Sequence, residues 1–264
     1  MRQPKALLLA TSILTAFTAA LARAATSSQP ATVTVTPRVV QMGTFYGGAK
    51  VRVEGKVTPG SKVVVAVRGS DVTEFFNKVG RVGPIWINTG KVAVSGAPSL
   101  LMVFSSEPLD SCLTRAEIDQ HQLDAAAIKK QIQIEPQAQG GDPIATDFLK
   151  LKVRQGSYRM VASAIETGSV EDGSLPYALE FVWPKNASPG AYEVSVYACR
   201  EGEVKESLKG PLKVVEVGFP ALVASMAREH ASTYGIVSIV VAILAGFGID
   251  FLATRLFKKR ISAH

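Results

Sequence analysis

Residues 50–70 carry the sequence KVRVEGKVTPGSKVVVAVRGS, and this stretch decides the predicted fold. Two valine-rich runs flank the dipeptide Pro59-Gly60, and the first run alternates apolar and polar residues. Alternation with a period of two is typical of a half-buried β-strand, and Pro-Gly indicates a turn. We therefore predict two consecutive strands with a turn between them.

Similar short runs, bounded by Gly and Pro, occur on both sides of this stretch. They are ATVTVTP (31–37), GPIWINTG (83–90), KVAVSG (91–96), SLLMVFSS (99–106), SYRMVASAI (157–165), LPYALEFVWP (175–184), GAYEVSVYACR (190–200) and GPLKVVEV (210–217). About nine short strands predict a mainly β chain folded as an immunoglobulin-like antiparallel β-sandwich. The alternative is two small sandwich domains separated by a helical segment.

The helical segment interrupts the strands at residues 113–155. Leu113–Gln133 is rich in Ala, Glu, Lys and Gln, and its Ile and Leu residues lie near one face of a helix. Thr114 and Glu117 have the spacing of a capping box at its start. A second helix is predicted from Pro143 to about Gln155. The sandwich is therefore expected to carry a helical insertion.

Residues 1–24 have the order of a secretory signal peptide. A basic start is followed by an apolar run and by Ala22-Arg23-Ala24, so cleavage is expected after Ala24. The alternative is an uncleaved anchor. We expect residues 25–218 to form an extracytoplasmic domain.

Residues 235–256 form an apolar run of 22 residues with one acid and one base. As a helix the run spans about 33 Å, which is enough to cross a bilayer. Residues 219–234 are predicted to form a juxtamembrane helix. Three bases at 258–260 place the tail, residues 257–264, in the cytoplasm. The expected location is a bacterial inner membrane, crossed once, with the N-terminal domain in the periplasm.

The formal net charge of +7 belongs mainly to the two ends of the chain. The signal region carries +3 and the residues from Asp250 onward carry +3, whereas residues 25–249 carry +1. A nearly neutral domain lacks the basic surface that nucleic-acid binding requires. The charge therefore indicates topology and argues against a nucleic-acid partner.

Motifs for catalysis are absent from the sequence. It contains no G-x-S-x-G, no phosphate-binding glycine loop, no H-E-x-x-H and no Cys/His cluster with metal-ligand spacing. We therefore expect no enzymatic activity, no cofactor and no metal site.

Two arginines near strand ends are candidates for anion binding. Arg68 precedes Gly69-Ser70, and Arg81 lies close to Trp86 and Asn88 in the sequence. Because arginine binds oxyanions with two parallel hydrogen bonds, these four residues could hold a sulfur oxyanion or a carboxylate. The alternative is that the arginines lie at sandwich edges and Trp86 lies in the core.

The membrane run carries small or polar residues at every fourth position, namely Ser238, Ala242, Gly246 and Asp250. Stripes of this kind pack against neighbouring membrane helices, and an acid within a span favours a partner. The alternative for Asp250 is that its carboxylate reaches the cytoplasmic interface.

Cys112 and Cys199 both lie in the exported part, where oxidising conditions permit a disulfide. Two separate buried thiols are the alternative.

Several segments together resemble the Alph_Pro_TM family of transmembrane proteins. They are FYGGAKVRVEGKV, KVVVAVRGS, GRVGPIWINTG, SLLMVFSS, NASPGAYEVSVYACREGEV and VVEVGF. The resemblance implies a signal peptide, an extracytoplasmic domain and one C-terminal helix. It also implies an association with sulfite-exporter-type permeases, because family members resemble proteins encoded beside them.

Two functional hypotheses follow. The first is a periplasmic accessory or interaction protein that is the partner of an integral membrane transporter of the sulfite-exporter type. The second is a periplasmic domain that binds a sulfur oxyanion and feeds a permease.

Overall fold

The computed structural model describes residues 31–136 and 141–257. In these residues the chain forms thirteen strands and six helices. The strands are β1 (Thr32–Thr36), β2 (Val39–Met42), β3 (Lys50–Val57), β4 (Lys62–Gly69), β5 (Asp71–Val82), β6 (Ile85–Pro98), β7 (Leu101–Ser105), β8 (Gln133–Glu135), β9 (Tyr158–Val161), β10 (Glu166–Thr167), β11 (Leu175–Val182), β12 (Gly190–Arg200) and β13 (Glu203–Glu216). The helices are α1 (Leu109–Cys112), α2 (Arg115–His121), α3 (Ala125–Lys129), α4 (Gly141–Arg154), α5 (Phe219–Glu229) and α6 (Ala231–Phe257). The predicted signal peptide, residues 1–24, lies outside the described residues.

The strands form three sheets, and the two larger sheets share a core. One sheet has the order β1-β3-β11-β10, and the other has the order β2-β13-β12-β4-β7-β9. Val53 and Leu179 of the first sheet pack with Val65 and Val194 of the second, around the fully buried Trp183. The chain is therefore mainly β, as predicted, with its main core between two sheets. Its immunoglobulin-like character stays a prediction.

The six-stranded sheet is covered on both faces. Val64 and Ala66 of β4 point away from the sheet–sheet core and pack in a second cluster with Ile118, Leu123 and Phe148 of the helical region. This explains why β4 is apolar at nearly every position, since a strand that is buried on both sides does not alternate.

Most strand pairs are antiparallel, as predicted, but two are parallel, which the prediction did not include. β2 pairs with β13 in parallel because the chain passes Pro37 and moves from one sheet to the edge of the other. β7 pairs with β9 in parallel, and the segment between them contains α1 to α4. Parallel neighbours need such a crossover. The predicted helical insertion, 113–155, thus forms the connection between two adjacent strands, and its helices span 109–154.

The single long helix predicted for Leu113–Gln133 is wrong. Gln122 has a left-handed backbone with φ of 53°, which ends α2, and the Asp124 side chain accepts a 2.7 Å hydrogen bond from Ala127 N to begin α3. Thr114 is the N-cap of α2 but makes no side-chain capping bond. The Glu117 carboxylate instead accepts a hydrogen bond from Val204 N at 3.4 Å. The local capping signal was overridden by packing against β13.

The third sheet is built on a long hairpin, residues 71–98, which we call the arm. β5 and β6 pair along their lengths around the two-residue turn Gly83-Pro84, and β8 joins at the base. Gly83 has φ of 62°, as the first position of a type II′ turn requires. The sequence predicted only two separate short strands in this region.

The C-terminal part consists of two helices with a break between them. α5 ends at Glu229, His230 has a non-helical backbone, and α6 begins at Ala231. The predicted juxtamembrane helix, 219–234, is therefore shorter than expected, and residues 231–234 belong to the membrane helix.

Candidate functional site

α6 is long and apolar enough to cross a membrane. The most apolar 18-residue stretch within Ala231–Arg255 has a mean hydropathy of 2.5, and none of that stretch is buried inside the protein. It agrees with the predicted span at 235–256 and extends it by one turn at the N-terminal end. The side-chain surface of α6 is therefore free to contact lipid or another membrane helix.

The four stripe residues lie on one exposed face of α6. Ser238 Oγ donates a 2.8 Å hydrogen bond to the carbonyl of Tyr234, so its hydroxyl is satisfied within the helix. A Cβ placed on Gly246 would meet no atom within 4 Å, so this face is open. Asp250 makes no ion pair with any described residue. The stripe thus combines an uncovered helix surface with one acidic side chain.

Three of the four predicted anion ligands lie near the end of the arm. Arg81 faces Trp86 across the two strands, and Asn88 faces Val79. Arg81 Nε donates to the carbonyl of Gly83 at 3.1 Å, and Asn88 Oδ1 accepts from Gly90 N at 3.0 Å. Trp86 is 70% exposed, so the alternative that placed it in the core is wrong.

Arg68 lies at the base of the arm, away from the other three. Its guanidinium donates to Asp71 Oδ1 at 2.8 Å and to Gln122 Oε1. These bonds link β4 to the turn between α2 and α3, and they occupy the arginine. Asp71 and Arg81 are ten residues apart on one strand, or about 30 Å at the usual rise. The structure does not bring the four predicted residues into one site.

The base of the arm is held against α4 by an ion pair and an aromatic contact. Lys152 Nζ donates to Glu74 Oε1, and the Lys152 side chain is only 6% exposed. The rings of Phe76 and Phe148 meet edge to face with centroids 5.9 Å apart. A groove of about 250 Å³ runs beside them and is lined mostly by apolar side chains, including Val92. The arm is therefore anchored at its base.

The model of the family described as "Putative transmembrane protein (Alph_Pro_TM)" matches residues 31–255 of the chain. The chain belongs to the Alph_Pro_TM family. The match spans the sandwich, the arm and the C-terminal helix, so the membrane helix is part of the family's architecture.

Comparison with other proteins adds no functional assignment for this Alph_Pro_TM protein. No curated protein matches it. Two similar structures are one described as "Putative membrane anchored protein from Corynebacterium diphtheriae" (12% identity, 70% of this chain and 34% of that chain, TM-score 0.19) and a family 123 glycoside hydrolase from Clostridium perfringens (11% identity, 71% and 28%, TM-score 0.21). The chain spans about a third of the length of each. At these TM-scores neither similarity carries an argument.

The two cysteines of this Alph_Pro_TM protein are free thiols in the same buried cluster. Burial raises the pKa of both, and it raises the pKa of Cys199 to about 12. The nearby Cys112 sulfur contributes to the second shift. Neutral buried thiols are poor nucleophiles, so neither cysteine has the environment of a catalytic residue.

A polar cleft of about 550 Å³ lies beside the base of the arm. Serines from four separate segments line it, namely Ser70, Ser99, Ser157 and Ser188. The Lys152–Glu74 pair forms part of its wall. Sequence reasoning missed this cleft because no local motif links residues that only the sheet order brings together. Among the described residues, no three His, Cys, Asp or Glu side chains are grouped where they could hold a metal ion.

Proposed function

We propose that this protein is a membrane-anchored accessory protein that binds an integral membrane transporter, of the sulfite-exporter type, through the stripe on α6. In this proposal the chain crosses a bacterial inner membrane once. Its β domain is periplasmic and its C-terminus is cytoplasmic, since the bases at 258–260 follow the span. The proposal contains no catalytic step.

The observation that carries the proposal is Asp250 on the open face of α6. A carboxylate within a membrane span is costly unless it meets a partner, water or the interface. Gly246 lies one turn before Asp250, and Ala242 one turn before that, so a neighbouring backbone could approach closely. A polar group and a close-packing surface on the same face favour a helix of another membrane protein as the partner.

The test is co-purification from native membranes in a mild detergent. The full-length tagged protein is expected to bring down one integral membrane protein in a fixed ratio. Gly246→Leu should fill the contact face and abolish recovery of the partner protein. Asp250→Asn should reduce the amount of partner recovered. Gly248→Leu is the matched control, because Gly248 lies about 200° around the helix and its position is equally open.

Two results would overturn the proposal. One is recovery of the wild-type chain only as a lone monomer at native expression levels. The other is equal loss of the partner in the Gly246 and Gly248 variants, since a specific face would then be excluded.

The alternative function is anion binding, in which the domain captures a sulfur oxyanion for a permease. It is favoured by the exposed guanidinium of Arg81 beside Trp86, but Arg68 would contribute only by releasing Asp71 and Gln122. Calorimetry of the full chain with sulfite, sulfate and thiosulfate tests it. A binding heat that Arg81→Gln leaves unchanged would exclude this site.

A further inference from the structure

The end of the arm is strongly apolar and exposed. We define the tip as residues 79–88, centred on the Gly83-Pro84 turn. Trp86 is 70% exposed, Ile85 59% and Val82 52%, and Val79 and Ile87 are also exposed. Single exposed apolar side chains are common, but five in ten residues form a patch that is typical of an interaction site.

The apolar side chains of the tip lie on both faces of the hairpin. Val82 and Ile85 are directly paired across the strands and point to one face, whereas Arg81 and Trp86 form the next pair and point to the other. A hairpin that lies flat on a protein surface needs only one apolar face. Apolar residues on both faces favour entry end-on into a medium that surrounds the tip, such as the lipid interface.

The basic residues of the arm lie mostly behind its apolar end. From Phe75 to Pro98 the sequence has three bases, Lys78, Arg81 and Lys91, and no acid. Lys78 lies five residues before Gly83, or about 16 Å at the usual rise, so the lysines stand behind the apolar tip. Apolar ends with bases behind them match an interface in which acyl chains are covered by anionic headgroups.

The short connection between the β domain and α6 keeps the arm close to a membrane. β13 ends at Glu216 and α6 begins at Ala231, and the connection contains the eleven-residue helix α5, which is about 16 Å long. The arm itself measures about 36 Å from Asp71 to Val82 at the usual rise per residue. Gly69, beside the base of the arm, pairs with Tyr192, and Val214, near the end of β13, pairs with Gly190, so the arm and the connection to α6 leave the same end of the sheet. The tip therefore meets the bilayer that α6 crosses at high effective concentration.

We propose that the tip is a second membrane anchor, which inserts into the interfacial layer of a bilayer that contains anionic lipid. Trp86 and Ile85 lie at the level of the acyl–headgroup boundary, and Arg81, Lys78 and Lys91 contact the lipid phosphates. The tip goes no deeper, since hairpin backbone groups left unpaired at its edges and turn cannot be satisfied in hydrocarbon. Contact at two points would fix the orientation of the domain relative to the membrane.

Tryptophan fluorescence of the full chain in liposomes tests this inference. The chain has two tryptophans, and Trp183 is fully buried, so the difference between wild type and Trp86→Phe isolates the tip. In vesicles of phosphatidylglycerol and brominated phosphatidylcholine, we expect the Trp86 signal to be quenched by the bromine and protected from acrylamide. High salt should reduce both effects by screening.

The charge requirement is tested with Lys78→Gln, Arg81→Gln and Lys91→Gln combined. At about 5-fold per base, this variant should weaken contact between the tip and lipid by about 100-fold. Arg159→Gln, Lys185→Gln and Lys213→Gln combined is the control, because it removes the same charge from other exposed positions.

Three outcomes would overturn the inference. If acrylamide quenches Trp86 and bromine does not, the tip lies in water. Trp86 that is protected from acrylamide but unquenched by bromine shows a tip covered by protein, such as a second copy of the chain. Equal quenching in vesicles without phosphatidylglycerol shows that anionic lipid has no part in the contact.

Discussion

The Lys152 ammonium on α4 donates to the Glu74 carboxylate on β5, and this ion pair joins the helical crossover to the base of the arm. Lys152 is almost completely buried, and its ammonium also lies 5.5 Å from the centroid of the Phe148 ring. The pair therefore connects the packing of the helices to the direction in which the arm leaves the domain.

Glu74→Gln should destabilise the domain by about 2 kcal/mol, because it leaves the buried ammonium without its carboxylate, although Glu74 is partly exposed. Chemical denaturation of the full chain in detergent measures this change. Asp147→Asn is the control, since it removes the exposed Lys150–Asp147 pair, and it should change the unfolding free energy by less than about 0.5 kcal/mol. Equal effects would contradict the structural role of the Lys152–Glu74 pair.

Gly96→Ala should be more destabilising than Gly83→Ala. Both glycines have positive φ, which alone costs about 1 kcal/mol for alanine. At Gly96 a Cβ would also lie 2.5 Å from the carbonyl oxygen of Gln131, whereas at Gly83 it would meet nothing within 4 Å. We expect the Gly96 variant to lose a further 1–3 kcal/mol or so through backbone displacement. Thermal unfolding of the two variants compares them directly.

The thiols should be unreactive in the native protein. Burial raises the pKa of Cys112 and of Cys199, so little thiolate is present and reagents have no access. In denaturant without reductant, Ellman's reagent should then titrate two thiols per chain. A chain purified from its native membrane that shows no thiol until a reductant is added would demonstrate that the predicted disulfide forms.

The free energy of unfolding should fall in acid, and part of the fall should come from two carboxylates of the helical crossover. The hydrogen bond from Arg115, followed by that from Lys130, lowers the pKa of Asp119. Burial alone would raise the pKa of Asp124, but the bonds from Arg115 and Ala127 N outweigh it and lower the value. A carboxyl group whose pKa is lowered by folding stabilises the fold at pH values above its pKa in the unfolded chain, which is near 3.9. This contribution is lost as the pH falls through the pKa of the folded state.

Arg115→Gln should reduce the dependence of unfolding on pH below about 4, because it removes the main partner of both carboxylates. Urea midpoints at several pH values measure this dependence. An unchanged acid profile in the variant would show that other carboxyl groups determine acid unfolding.

The sequence predicted the strands and the helical region because their periodicity is local. Alternating residues in β3 and an apolar, helix-length run in α6 specify those elements without reference to the rest of the chain. It did not predict that Arg68 would be occupied: Asp71 is only three residues away, but Gln122 meets Arg68 only when β4 packs under the crossover. The sequence left the position of Trp86 open between a ligand site and the core for a related reason, since an apolar strand looks the same whether or not another element covers it.

The sequence by itself determined the membrane helix, since about twenty consecutive apolar residues cannot be placed in water at acceptable free energy. It also determined that the rest of the chain would be mainly β. The tertiary structure decided which strands are parallel, that Arg68 is bonded to Gln122, and which apolar residues stay exposed. These properties depend on contacts between segments far apart in the chain, and the arm projects because only its base, at Phe76 and Glu74, finds a helix to pack against.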